Sequence, residues 1–329
     1  MRLWDSVHSQ DLGYTPLASL PTPLVPAPVL SGALGVEVSI KRDDLTGLLL
    51  GGNKARKLDF LCGEALRSGC DTLVTGGGAG SNHVQMTAAA AVRLRLACVA
   101  VCYGDPPAVE PLGLRLTRRL GADVVFTGSP DRASVDARLE AVAAELGAAG
   151  RSPYVIPRGG ASAVGAVGYA VAAEELAAQL AMHGGGEATV MLATGSCGTQ
   201  AGLMAGAALA AQARFRVVGV PVSRPPEECA ERVARLATAC AARLGSDRLF
   251  TTGDVHLLGG HIGPGYGTPS PEGDEAAFLA LRTEGLVLDP VFTAKAMAAL
   301  IAEARARRLA GPVVFVHTGG TPAALAALP

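Results

Sequence analysis

The sequence predicts an α/β protein in which strands and helices alternate, so that the strands run parallel and helices cover the sheet faces. Three observations carry that prediction. GGGAGSNH (76–83), TGSCGTQAG (194–202) and HTGGT (317–321) are glycine-rich turns that each follow a short apolar run. The first two run straight into alanine-rich segments that read as helices. Apolar residues make up 49% of the chain but aromatics only 4%, so the core must be built from Ala, Val and Leu. At 329 residues the length predicts about two domains of ordinary size.

In order, residues 1–33 read as irregular, because Pro16, Pro21, Pro23, Pro26 and Pro28 exclude a long helix. Strand-like 34–41 leads into the lysine-bearing loop KRDDLTGLLLGGNK. A first series then runs helix 55–68, strand 71–75, helix 82–95, strand 97–103, helix 112–120, strand 123–126, helix 132–147 and strand 154–156. A break near RGGAS (158–162) opens a second series: helix 162–182, strand 188–193, helix 198–212, strand 215–220 and helix 226–243. GGHIGPGYGTPSPEG (259–273) is a long Gly/Pro loop suited to a substrate wall or lid. Helices 274–284 and 293–308, strand 312–316 and helix 321–328 complete the chain.

Composition excludes several partners. A net charge of −1 gives no electrostatic reason to expect nucleic acid or an anionic membrane. From Ala188 to Ala213 there is no charged residue, yet polar and glycine residues at 194–200 interrupt the middle. A buried strand, a loop and a buried helix explain that stretch better than a membrane span. Seven cysteines without CxxC or Cys/His ligand spacing imply reduced thiols in a cytoplasm and no metal site. MRLWDSVHSQDLG lacks an uninterrupted apolar run and reads as mature protein.

The chemistry centres on Lys54. Gly51 and Gly52 permit backbone approaches that a side chain would block, and an amphipathic helix begins next to the lysine. Leu58, Leu61, Ala65 and Leu66 supply its apolar face, with Arg56, Lys57, Asp59 and Glu64 largely on the other side. Partial desolvation and the cationic neighbours Arg56 and Lys57 would both lower the Lys54 pKa, freeing the amine for a Schiff base with an aldehyde. The turn at 195–199 opens a helix, and the unpaired N–H groups there suit a phosphate. It matches neither GxGxxG nor GxxxxGK[ST], so a nicotinamide or ATP reading lacks its fingerprint.

In KRDDLTG, GGNKARKL, GSNH, TGSCGTQAG, GPGYGTP and LDPVFTAKAM, at this order and spacing, the chain resembles pyridoxal-phosphate enzymes of the tryptophan-synthase-β fold. It looks most like the branch holding D-cysteine desulfhydrase and 1-aminocyclopropane-1-carboxylate deaminase, and the resemblance runs from about Asp11 to Pro322. It implies fold type II: two open twisted sheets flanked by helices, a large cofactor-binding domain of residues 1–54 and 163–329, and a small domain of 55–162. It also implies pyridoxal 5'-phosphate on Lys54, with the phosphate held by Thr194, Gly195, Ser196, Cys197, Gly198 and Thr199. Asn82 would bond the ring 3-hydroxyl oxygen and Thr318 the pyridine nitrogen. Ser81 and Tyr266 would act on the substrate, with Ser81, Asn82, His83, Gln85, Tyr266 and Phe292 around it. His317 is expected to be structural.

The reaction so implied is β-elimination from a small amino acid by a homodimeric lyase, D-cysteine giving pyruvate, ammonia and sulfide. Cyclopropane deamination, L-cysteate desulfonation, β-replacement and non-catalytic binding of cofactor or amino acid are the alternatives. Phe292 departs from the tyrosine usual at its position, and Gln85-Met86 replaces the expected Arg-Gln step. Thr293 stands where the deaminases carry glutamate and the desulfhydrases threonine.

Overall fold

A computed structural model describes residues 12–182 and 186–327. The expectations for residues 1–11 and for the last residues of helix 321–328 fall wholly or partly outside them. The chain opens with β1 (Leu24–Pro26), α1 (Pro28–Leu34) and β2 (Val38–Lys41). It continues with α2 (Lys54–Arg67), β3 (Thr72–Gly77), α3 (Asn82–Leu94), β4 (Ala97–Cys102), α4 (Leu112–Arg119), β5 (Asp123–Phe126), α5 (Ser134–Ala148) and β6 (Pro153–Ile156). Then follow α6 (Ala163–Met182), β7 (Ala188–Thr194), α7 (Gly198–Leu209), β8 (Phe215–Pro221), α8 (Pro226–Arg243) and β9 (His256–Leu257). Helices α9 (Pro271–Glu284) and α10 (Thr293–Arg305), strand β10 (Val313–Val316) and helix α11 (Thr321–Ala326) close the described chain.

Two sheets result. The larger has the order β1-β2-β10-β7-β8-β9, the smaller β5-β4-β3-β6. Every pairing is parallel except that of β1 with β2. Strands of the larger sheet feed two cores because their side chains alternate between faces. Val313 and Phe315 of β10 join Met191, Val218, Met297 and Leu300 on one face. Val314 and Val316 join Val190, Leu192, Val217 and Leu203 on the other. Burial on both faces accounts for the nearly continuous apolar character of these strands.

Small residues let the helices approach closely. A Cβ on Gly202 of α7 would lie 2.2 Å from the Ala166 carbonyl oxygen of α6, and one on Gly206 would lie 2.3 Å from that of Ala170. The uncharged 188–213 stretch is therefore interior strand and helix, and no described helix is long and apolar enough to cross a membrane.

Three sequence expectations need correction. The stretch read as irregular contains β1 and α1, because Pro28 occupies the first turn of α1, where a missing N–H costs nothing. Strand 34–41 starts only at Val38, since Leu34 still ends α1 and Gly35 caps it in the left-handed region. The supposed polar side of α2 is not solvated: Arg56, Lys57 and Asp59 are buried, whereas Leu66 is exposed. Packing on all sides of α2 forces those polar groups to find partners. Arg56 binds Asp43 and Glu175, and Asp59 accepts from the Leu17 and Ala18 N–H groups.

Candidate active site

A cavity of about 370 Å³ lies at the carboxyl ends of strands from both sheets. Its wall includes Lys54 at the start of α2, residues 76–83 at and beyond the end of β3, Tyr103 after β4 and residues 193–197 at and beyond the end of β7. Ser223 and Arg224 after β8 and Thr318 after β10 complete the strand-end contribution. A second cavity of about 680 Å³, lined by Tyr14, Leu20, Val171 and Glu175 among others, holds none of the expected residues.

Lys54 reaches the wall through a tightly folded loop. Gly51 has φ +73° and Gly52 +132°, and a Cβ on Gly51 would sit 1.8 Å from the Asp44 carbonyl oxygen. Gly52 pairs with Gly319, and Asn53 N donates to Thr318 O at 3.0 Å, so the lysine loop is stitched to the turn after β10. Lys54 Nζ donates to Asn53 Oδ1 at 2.7 Å, and Asn53 Nδ2 donates to Thr199 Oγ1 at 3.0 Å. Burial pushes the Lys54 amine down to about 8, partly opposed by the Asp289 carboxylate. The expected help from Arg56 does not materialise, because Asp43 and Glu175 compensate that guanidinium.

Other lysines are committed elsewhere. Lys41 binds Glu175, Thr22 O and Gln179. Lys295 Nζ donates to Ile262 O at 2.6 Å and Gly265 O at 3.2 Å, tethering the loop that carries Tyr266. Lys57 is fully buried, donates to Gly159 O at 3.3 Å, and has its pKa driven well down by burial, with the Lys54 and Arg232 charges adding.

The β3–α3 junction supplies Ser81, Asn82 and His83. Ser81 caps α3, its Oγ accepting from Val84 N at 3.4 Å, so the hydroxyl proton stays free for another acceptor. Asn82 Oδ1 accepts from Gln85 Nε2 at 2.7 Å, which leaves the Asn82 amide N–H groups free to donate. Gln85 itself is buried one turn into α3 and does not line the cavity, so its expected substrate contact is replaced by a bond that orients Asn82. His83 lines the wall, but its Nε2 pairs with Thr75 Oγ1 at 2.9 Å. Burial, with Lys54 and Lys57 adding, holds His83 well below its ordinary pKa.

Across the cavity, Thr194, Gly195, Ser196, Cys197 and Thr199 line the β7–α7 junction. Cys197 adopts φ +73°, and no side chain caps α7. Gly198 lies just behind the wall, where a Cβ would stand 3.1 Å from Lys57 Nζ and 3.2 Å from Ala161 Cα. Arg224 Nη1 donates to Gly195 O at 2.6 Å and Arg232 Nε to Ser196 O at 3.3 Å, so two guanidiniums hold the loop by its carbonyls. An uncapped helix start, a glycine in close quarters and buried cations together fit a phosphate.

Tyr266 and Phe292 meet edge to face, ring centroids 6.1 Å apart, and the Arg132 guanidinium lies 3.9 Å above the Tyr266 ring. Burial raises the Tyr266 pKa, keeping the phenol protonated. Thr318 lines the wall, whereas His317 is buried, its Nδ1 accepting from Gly319 N at 3.3 Å. Gly320 precedes α11 as its cap residue. Thr293 is turned away from the cavity: its Oγ1 donates to Asp289 Oδ2 at 2.7 Å.

Sequence reasoning missed Asp289, Tyr103, Arg132, Arg158, Arg224 and Arg232, all of which line the cavity. Asp289 had a legible signal, an Asp-Pro step just before a helix. Its carboxylate accepts from the N–H groups of Val291, Phe292 and Thr293. The arginines come from distant segments and carry no local signal.

Comparison with known proteins agrees with this geometry. The family model described as pyridoxal-phosphate dependent enzyme matches residues 16–319. D-cysteine desulfhydrases of Salmonella choleraesuis and Salmonella paratyphi C are each 44% identical over 315 residues, covering 94% of this chain and 94% of theirs. A crystal structure of an ACC deaminase homologue superposes with TM-score 0.87 at 31% identity, covering 99% of both chains. A crystal structure of a T.th. threonine deaminase shares the fold with TM-score 0.67 at 21% identity, covering 97% of this chain and 96% of its own. The chain belongs to the pyridoxal-phosphate dependent enzyme family.

Proposed function

We propose that this lyase eliminates the β-substituent of D-cysteine or a close analogue, turning D-cysteine and water into pyruvate, ammonia and hydrogen sulfide. The observation that carries the reading is a half-buried lysine on the cavity wall, its amine lowered to about 8, between two helix starts that face the same cavity. The 44% identity to D-cysteine desulfhydrases over nearly the full chain supports the substrate class. In this reading residues 1–54 and 163–329 serve as the cofactor-binding unit and 55–162 as the smaller one.

When bound, pyridoxal phosphate supplies an aldehyde for the substrate amine and a ring that takes up electrons from the α-carbon. The N–H groups at 195–199 would receive its phosphate, with Arg224 and Arg232 holding the loop by its carbonyls. Asn82 offers an N–H to the ring hydroxyl oxygen because Gln85 already occupies its carbonyl. Thr318 faces the same cavity and offers a hydroxyl to the ring nitrogen. Lys54 Nζ takes the α-proton, a task suited to an amine with a pKa near the working pH. Ser81 donates its free hydroxyl proton to the substrate, and the protonated Tyr266 phenol assists the departing group. Carboxylate binding falls to residues 79–83 at the start of α3.

Two copies in a cytoplasm complete the proposal. Val29 on α1 and Phe278 and Leu281 on α9 are exposed on helices that pack together, which supports an apolar face for a second copy. Pyruvate release from D-cysteine and from β-chloro-D-alanine, measured beside 2-oxobutyrate release from 1-aminocyclopropane-1-carboxylate, tests the reaction. D-cysteine is expected to be the faster substrate. Faster oxobutyrate formation would overturn the assignment in favour of the deaminase, and no turnover of any of them would favour a binding protein.

A further inference from the structure

Arg132 lines the cavity from the turn between β5 and α5, and the groups it meets belong to the opposite wall. Its Nη1 donates to Ser223 O after β8 at 3.2 Å, among the described residues the one hydrogen bond between residues 72–156 and residues 186–327. Its guanidinium carbon lies 3.9 Å from the Tyr266 ring centroid, well within the range at which a cation is drawn to an aromatic face. Ser223 Oγ in turn donates to Gly195 O at 3.2 Å, so the same contact reaches the β7–α7 junction.

Both partners are held in place. On the Arg132 side, Ala133 N donates to Asp131 Oδ1 at 2.9 Å and Ser134 Oγ to Asp131 O at 2.6 Å, so the turn is fixed by its own bonds. On the other side, Lys295 Nζ holds Gly265 O next to Tyr266, and Phe292 meets the ring edge to face. The charge of Arg132 is also left free to act. Arg158 pairs with Asp136 and Arg224 with Glu228, whereas Arg132 has no carboxylate partner among the described residues. Burial, with Tyr103 and Asp289 adding, raises the Tyr266 phenol, and Arg132 and then Arg158 oppose that rise.

We propose that Arg132 is a positioning residue for the β-elimination: stacked on Tyr266, it holds that ring against the cavity and makes its phenol a stronger proton donor to the departing group. A positive charge on the ring face favours the phenolate left behind, so the O–H gives up its proton more readily. As the Cβ–S bond of D-cysteine breaks, its electron pair stays on sulfur, the Tyr266 proton joins that sulfur, and hydrogen sulfide leaves. Water then returns a proton to the phenolate. Chloride, the anion of a strong acid, departs without a proton, so β-chloro-D-alanine makes little use of this help. The role of Arg132 rests on the reaction and the Tyr266 assignment given above.

The test measures pyruvate release by the holoenzyme as wild type, Arg132→Met and Arg132→Lys. Acid–base help is commonly worth about 10²–10⁴-fold, so Arg132→Met should lower kcat for D-cysteine at least about tenfold more than kcat for β-chloro-D-alanine. KM for D-cysteine should change less than kcat, and Arg132→Lys, which keeps the charge, should recover part of the loss. Ultraviolet titration of the tyrosines, with Tyr266→Phe isolating the Tyr266 signal, should place its ionisation at higher pH in Arg132→Met than in the wild type. Arg132→Gln provides the same comparisons should the methionine disturb folding. An equal loss for both substrates would overturn the proposal and leave Arg132 a packing residue. So would a Tyr266 ionisation that does not move. Pyruvate from neither substrate in the wild type would overturn the elimination itself and this role with it, a result told apart from the others by the wild type alone.

Discussion

At the β3–α3 junction the helix begins under its own serine, whose oxygen accepts from the Val84 N–H. At the β7–α7 junction no side chain caps the helix; Cys197 and Thr199 line the cavity, and Gly198 between them packs against Lys57. Both follow a parallel strand and both line the same space, yet one helix start is partly satisfied by its own serine and the other has no side-chain cap. Orphan N–H groups are costly when buried, so the uncapped end suits an anion, as proposed, whereas the capped end keeps only a hydroxyl proton to offer. Lys54 lies between them, joined to the uncapped side through Asn53 and Thr199.

That contrast breaks most sharply at Lys54. Lys54→Ala should lower turnover by about 10²–10⁴-fold through loss of the proton carrier alone. The variant should still retain cofactor through the β7–α7 junction, but dialysably, whereas borohydride should tag Lys54 in the wild type. A tag on Lys41, Lys57 or Lys295 would refute the assignment.

Gly198→Ala tests the uncapped side. Its Cβ would crowd Lys57 Nζ at 3.1 Å, and overpacking of this kind costs about 1–3 kcal/mol. Thermal stability of the cofactor-free protein should fall accordingly, and cofactor affinity, measured by equilibrium dialysis, should fall as well because the turn must shift to relieve the contact. An unchanged affinity would argue that the phosphate sits elsewhere.

Phe292→Tyr probes the wall between the two junctions, where the ring packs on Tyr266 and close to Gly195. If a phenol relay is what the chain lacks, D-cysteine turnover should rise at least about tenfold, or about 1.4 kcal/mol of barrier. An unchanged or lower rate in steady-state kinetics would instead identify Phe292 as an apolar wall fitted to a different substrate.

The capped side gives a smaller effect. Ser81→Ala should destabilise the fold by about 1 kcal/mol through the lost cap, read by denaturant unfolding, and should lower kcat more than cofactor affinity. A loss of affinity equal to that of Gly198→Ala would erase the distinction between the junctions.

The pH response of Lys54 is the mildest probe. With the amine lowered to about 8 from its ordinary 10.5, the neutral fraction falls about tenfold per pH unit below that value. Cofactor attachment to the stripped protein should therefore quicken up to about pH 8 and level off above, as followed by visible absorbance. Between about 8 and 10.5 the unfolded chain binds the extra proton, so this lysine's contribution to stability rises with pH in that window. A rate independent of pH between 6 and 8, taken as roughly two orders of expected change, would exclude Lys54 as the attacking amine.

By itself the sequence determined the alternation of elements, the three glycine turns and the lysine that one of the loops carries, because these depend on local periodicity and backbone freedom. The short α1 behind Pro28 escaped it, since five prolines masked a helix that begins on one of them. Tertiary structure alone decided which polar groups are interior. Arg56, Lys57 and Asp59 look solvated on a helical wheel, yet α3, α6 and the segments bearing Leu17 and Asp43 pack on α2, bury them and dictate their partners. It also decided that Gln85 supports Asn82 and that Thr293 serves Asp289 and not the cavity. Burial and charge compensation depend on segments far apart in the chain, and local patterns carry no record of them.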